Sequence, residues 1–165
     1  MEAGEEFNVI PYGTEALGVM RIEKGHAAGP ELNGQTSAYD LGMGGMISGK
    51  KDFIGYTLGL REELQRDDRL QMVGFKPVNP NDLLLAGSHL LGLCDKATTE
   101  NDQGWISSCI YSPILGHYLG IGFIKGGHNR KGENVRAVDL VRGNDVEVEI
   151  CSPHFVDPEG ERLRV

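Results

Sequence analysis

The chain has 165 residues and a formal net charge of −8, with a sequence pI of about 5.1, enough for one domain or two small ones around a real core. That acidic balance argues against an electrostatic grip on nucleic acid, which needs a basic face. No apolar run approaches the ~20 residues of a membrane span, and the acidic opening MEAGEEF is unlike a signal peptide. The expectation is a cytoplasmic protein with neither a membrane nor a nucleic-acid partner.

Taken from the N-terminus, VMRIEKG at 19–25 alternates Val19, Arg21 and Glu23 against Met20, Ile22 and Lys24, which predicts a half-buried strand. GHAAGPELNGQTSAYDLG at 25–42 reads as a long irregular loop, broken by Pro30 and several glycines. GGMISGKKDF at 44–53 comes close to a phosphate-binding loop, with Gly44, Gly49 and Lys50 in the right places. Such a loop needs a Ser or Thr hydroxyl for Mg²⁺ and a buried strand in front of it. Lys51 stands in the hydroxyl position and no β-branched run precedes the glycines, so an NTPase is set aside. Asp52 can cap a helix over Phe53 to about Arg66, with Phe53, Leu60 and Leu64 on a core-facing side flanked by Ile54 and Leu58.

Beyond residue 69 the pattern changes. LQMVGF, SHLLGLC, GWISSCIY, YLGIGFI, NVRAVDL and DVEVEI follow one another, each bounded by turn residues. In the last, Val146, Val148 and Ile150 should face inward and Glu147 and Glu149 outward, with RGND at 142–145 as the tight turn before it. Six short strands with little helix predict a closed or nearly closed antiparallel β-barrel. The fold class is therefore α+β, mainly β: a short mixed α/β piece over residues 1–66, then a six-stranded barrel over residues 67–165.

Cys94, Cys109 and Cys151 are widely spaced and read as small buried apolar side chains. The five histidines form no H-E-x-x-H pair, so no metal site is assigned. No G-x-G-x-x-G follows a strand, so neither flavin nor NAD is expected on this segment. Trp105 and Tyr111 read as barrel core residues.

Four blocks in order, PYGTEALGVMRIEKG (11–25), DLGMGGMISGKKDFIG (40–55), ENDQGWISSCIYSPILGHYLGIGFI (100–124) and SPHFVDPEGERLRV (152–165), resemble the C-terminal portion of the alpha subunits of heterotetrameric sarcosine oxidases. These belong to the folate-binding superfamily of the glycine cleavage T-proteins, the aminomethyltransferases. The resemblance implies a barrel of the T-protein type and a region that holds tetrahydrofolate. There the one-carbon unit of oxidised sarcosine is captured as 5,10-methylenetetrahydrofolate. It also implies that the partners are the remainder of the alpha subunit and the other oxidase subunits.

In T-proteins the arginine of the R-L-E segment contacts folate, and Arg21 of MRIEKG matches it. A guanidinium can fork onto a carboxylate or carbonyl, which lysine cannot copy. The plain alternative is that Arg21 pairs with Glu23 or Glu15 and only holds its own segment. Glu23 is the second folate-binding candidate, either orienting the arginine or touching the ligand. The YSPILGHYLG turn at 111–120 is shaped by Pro113 and Gly116, first as a structural signature and second as a cavity-lining loop. The tail carries Phe155 but no tyrosine, so a folate contact from the tail is not carried over. The aspartate near the reacting amine and the glutamate that recognises the pterin in T-proteins both lie upstream of the residues present, so no catalytic residue is assigned. Two other readings stay open: a noncatalytic subunit-docking module, and a remnant of an aminomethyltransferase.

Overall fold

The computed structural model describes residues 2–164. Six strands, β1 (Leu70–Pro77), β2 (His89–Leu91), β3 (Gly104–Ser112), β4 (His117–Lys125), β5 (Asn134–Asp139) and β6 (Asn144–Cys151), close into a barrel in the order β1-β4-β3-β2-β5-β6. Every neighbouring pair is antiparallel, and β6 returns to β1 through the register Phe75↔Ile150. Closure removes the unpaired edges that would otherwise template aggregation.

The predicted alternation of β6 holds. Val146, Val148 and Ile150 are buried and join Val73, Phe75, Leu90, Ile106 and Val135 in the barrel interior, while Glu147 is exposed. Leu84, from the loop after β1, enters the same core and is fully buried. Strands β3 and β4 approach closely at Gly122, where an added Cβ would stand 2.3 Å from the Trp105 carbonyl oxygen. A bulge between Ile106 and Ser108 shifts the register of this pair and turns two successive serines toward the chain packed outside.

That outer layer corrects the first sequence expectation. VMRIEKG is not a strand but the second half of an α-helix, α1 (Thr14–Lys24). Glu15 in its first turn and Arg21 and Lys24 in its last match the helix dipole. Gly25 ends it in the left-handed conformation (φ 73°), with the Gly25 and His26 N–H groups donating to the Ile22 and Arg21 carbonyls. The reason the pattern misled is visible in the burial. Leu17 and Met20 are exposed, whereas Ile22 and the carboxylate-bearing Glu23 are buried. Ile22 packs on the outside of the barrel against Leu119 and Ile121, so this face of β4 is apolar too.

The expected helix over 53–66 is also corrected. It is two single turns, α2 (Tyr56–Gly59) and α3 (Glu62–Gln65), separated by an extended Arg61. Gly55 at φ 93° and Gly59 interrupt it. Its supposed core-facing residues are not buried: Phe53, Ile54, Leu58 and Leu60 are all exposed. A helix this short draws its stability from packing, and here little packing is offered. The 25–42 segment is irregular, as its composition implied. It is pinned to the barrel entrance by the buried Asp40, whose carboxylate accepts from Arg69 Nε at 2.9 Å and Nη2 at 2.8 Å. No helix among the described residues is long and apolar enough to cross a membrane.

Candidate functional site

Arg21 and Glu23 lie on successive sides of the last turn of α1, and each reaches into the barrel's outer wall. Arg21 Nη2 donates to Ser108 Oγ at 2.7 Å. Arg21 Nη1 pairs with Glu31 Oε2 at 3.2 Å and approaches the His26 carbonyl at 3.4 Å. Glu31 is completely buried. Its carboxylate also accepts from the Ala28 N–H at 2.9 Å and from Ser107 and Ser108 Oγ at 2.5 and 2.8 Å. A buried carboxylate is tolerable only with this degree of satisfaction. The bulge in β3 supplies both serines to it.

Arg21 therefore does have a salt-bridge partner, but it is Glu31 rather than Glu15 or Glu23. Sequence reasoning missed Glu31 because it sits in an irregular glycine- and proline-bearing loop with no periodicity to orient it. Glu23 Oε1 instead accepts from Ser112 Oγ at 2.5 Å. The Glu23 carbonyl accepts from the Phe155 and Val156 N–H groups, both at 2.9 Å. The C-terminal tail is thus tied across the end of α1, and Lys24 adds an ion pair to Asp157.

Beside this network lies a cavity of about 400 Å³. Arg21 and Glu23 both line it, together with Leu17 and Met20 of α1, Ile114 of the Pro113–Gly116 turn and Val156 of the tail. Lys24, His26, Asp157 and Arg162 complete the rim. Three of its side chains, Arg21, Lys24 and Arg162, are cationic, against the carboxylates of Glu23 and Asp157. Arg21 keeps 22% of its side chain exposed and lines the hollow while making its protein contacts. The YSPILGHYLG turn does line this cavity, through Ile114.

Other expectations fare differently. Trp105 is half-buried and packs against Phe123 with ring centroids 5.5 Å apart, but Tyr111 is exposed and sits edge-on to Tyr118 rather than in the core. Cys94 is exposed, against expectation, while Cys109 and Cys151 are half-buried. Burial pushes the Cys151 thiol up to about 12, which leaves it a poor nucleophile. Among the described residues no group of three His, Cys, Asp or Glu could hold a metal ion.

The barrel and its matching sequence define the class. Residues 71–157 match the family described as the glycine cleavage T-protein C-terminal barrel domain, and the chain belongs to that family. The whole chain is 42% identical, over 166 aligned residues, to the sarcosine oxidase subunit alpha of Rhizobium meliloti. Over 97% of its length it is 37% identical to the corresponding subunit of a Corynebacterium species. An aminomethyltransferase of Chloroherpeton thalassium is 31% identical over 127 residues, 76% of this chain and 33% of that one. The chain spans 17% of the length of the two alpha subunits. The crystal structure of the glycine cleavage system aminomethyltransferase T from Bartonella henselae superposes with a TM-score of 0.76, over 94% of this chain and 42% of the other, at 22% identity. That likeness concerns the fold.

Proposed function

We propose that this chain is the C-terminal part of a sarcosine oxidase alpha subunit. In this reading it contributes to the region where tetrahydrofolate takes up the one-carbon unit of oxidised sarcosine. Residues 1–66 would supply a partial folate-binding subdomain and residues 67–165 the barrel against which it is held. Alone, the segment would carry no oxidase activity, since the flavin chemistry belongs to other parts of the assembly. Its partners would be the rest of the alpha subunit and the other oxidase subunits, in the cytoplasm.

The observation that carries the reading is the partly exposed Arg21 side chain on the lining of a cavity that also holds Lys24 and Arg162, on a chain that matches the alpha subunits throughout. Folate bears carboxylates and a pterin ring with one carbonyl, and a guanidinium can grip either with its N–H donors. Glu31 and Ser108 fix one edge of that guanidinium, which lowers the entropy cost of presenting the rest. Glu23 orients the turn from below through Ser112 and the tail. It reaches folate directly only if the ligand enters deeply.

Titration of the chain with tetrahydrofolate, followed by the ligand's fluorescence or by calorimetry, tests this. Arg21→Ala should weaken binding by ~1.5–3 kcal/mol, the usual worth of a hydrogen bond to a charged group. A melting curve must accompany it, because the substitution also strips Glu31 of its ion pair. Equal and negligible binding by both proteins would favour the second reading, a noncatalytic docking module. The exposed Leu17, Met20 and Ile114 around the same cavity are what favour that alternative.

A further inference from the structure

A second hollow lies away from α1, on the outside of the barrel where β2 and β5 run together. It has a volume of about 510 Å³, within the roughly 300–1,000 Å³ of small-molecule sites. Its floor is Leu91 and Val138, both nearly fully buried. One wall is the Ala97–Thr99 stretch, and the other is the β5–β6 turn with Leu140 and Val141. Leu140 and Val141 are 74% and 96% exposed, so the hollow has an apolar lip as well as an apolar floor.

Two polar side chains on this lining, His89 and Arg142, are each held by a carboxylate and keep a further hydrogen-bonding atom. His89 Nδ1 lies 2.8 Å from Asp102 Oδ2. A carboxylate only accepts, so Nδ1 carries a proton, and with that single ring proton Nε2 is an acceptor. Asp102 is itself fixed, since its Oδ1 accepts from the Gly104 N–H at 3.1 Å. Opposite, Arg142 donates through Nε to Asp139 Oδ2 and through Nη2 to the Ala86 carbonyl, both at 2.5 Å. Asp139 Oδ1 accepts from the Val141 and Arg142 N–H groups at 3.0 and 2.9 Å, which fixes the turn. Among the described residues neither His89 Nε2 nor Arg142 Nη1 has a partner.

We infer that this hollow is a binding site for a flat apolar molecule bearing a primary carboxamide or lactam edge. Such an edge offers one acceptor and one donor: its carbonyl takes the Arg142 Nη1–H, and its N–H gives to His89 Nε2. The apolar body lies on Leu91 and Val138 under the Val141 lip. Charge balance selects the neutral amide over a carboxylate. Arg142 is already paired with Asp139, and a second anion would stand beside both Asp102 and Asp139, while Nε2 of a ring protonated on Nδ1 alone gives it no donor. The site is distinct from the Arg21 cavity and stands or falls independently of the folate reading.

3-Phenylpropanamide and its isostere 3-phenylpropanoate are suitable probes, titrated into the ¹⁵N-labelled chain at pH 8 and followed by amide chemical shifts. The amide should shift the resonances of His89, Thr99 and Val141 saturably at millimolar concentration. It should bind at least about fivefold more tightly than the carboxylate. His89→Ala, at an exposed position that should leave folding intact, should remove that preference. Arg142→Met should weaken the amide further, with melting curves to check the turn. No saturable shift at these residues, equal binding of the two probes, or an unchanged preference in His89→Ala would overturn the proposal.

Discussion

Glu31 illustrates how a single side chain can decide a local structure without any pattern to announce it. Completely buried, it collects donors from α1, from its own loop and from two serines of β3. Removing its charge leaves Arg21 short of an ion-pair partner and forces an amide N–H₂ toward serine hydroxyls. Glu31→Gln should therefore cost about 3–5 kcal/mol, as breaking a buried pair from one side does. A chemical denaturation series on Glu31→Gln, Arg21→Met and the double variant checks it. The double variant should be less destabilised than the sum of the two singles. Strict additivity would mean the two residues act separately. The same series protects the folate experiment, because it separates what Arg21 does for the fold from what it does for a ligand.

At the scale of elements, the end of α1 and the C-terminal tail form one joint. Gly25 closes the helix in the left-handed region, and an added Cβ would stand 2.3 Å from the Pro153 carbonyl oxygen. The crowding atom is backbone and cannot swing aside. Gly25→Ala should cost about 2–3 kcal/mol from the left-handed penalty and the displaced tail, a fall of roughly 4–12 °C in Tm for a chain of this size. Gly13→Ala at the N-cap of α1, where nothing lies within 4 Å, should cost only alanine's weaker capping, about 0.5–1 kcal/mol. If the two variants melt alike, the tail does not depend on that close approach. The six strands were legible because turn residues bracket each short apolar run, and in β6 alternation also marks the faces. α1 was not, because its exposed side carries Leu17 and Met20 while its buried side carries Glu23. Its polarity is set by a barrel wall built from residues a hundred positions away. The expected helix before Leu70 failed for another reason: Gly55 and Gly59 leave only single turns, so the apolar residues read as one core-facing stripe do not share a helix face and Phe53, Ile54, Leu58 and Leu60 stay exposed.

For the molecule as a whole, the irregular 25–42 segment and the barrel are fastened together at Asp40 and Arg69. Burial would raise the Asp40 carboxyl, but hydrogen bonds from Arg69 and from Ser37 outweigh it and hold it below the usual carboxylate range. A carboxyl lowered by folding stabilises the protein above its unfolded value, about 3.9, and loses that contribution as the pH falls through the lower folded value. Thermal unfolding from pH 7 to pH 2.5 should thus show the wild-type advantage over Asp40→Asn at neutral pH, about 2–3 kcal/mol because Arg69 remains partly exposed. The gap should narrow below about pH 4. A gap independent of pH would show that the amide disturbs packing rather than charge.

Local chemistry was enough to determine the barrel: strand length, alternation and turn residues are properties of a few neighbours, and six such stretches leave few ways to close. The same holds for membership of the T-protein barrel family, which rests on residue order. What only the folded molecule decided is where charge goes. That Arg21 meets Glu31 and not Glu15, that two serines at a bulge share one carboxylate, and that His89 and Arg142 face a common hollow all depend on contacts between distant segments. Electrostatic partners are chosen by proximity in space and by how little water remains between them, and neither quantity is written along the chain.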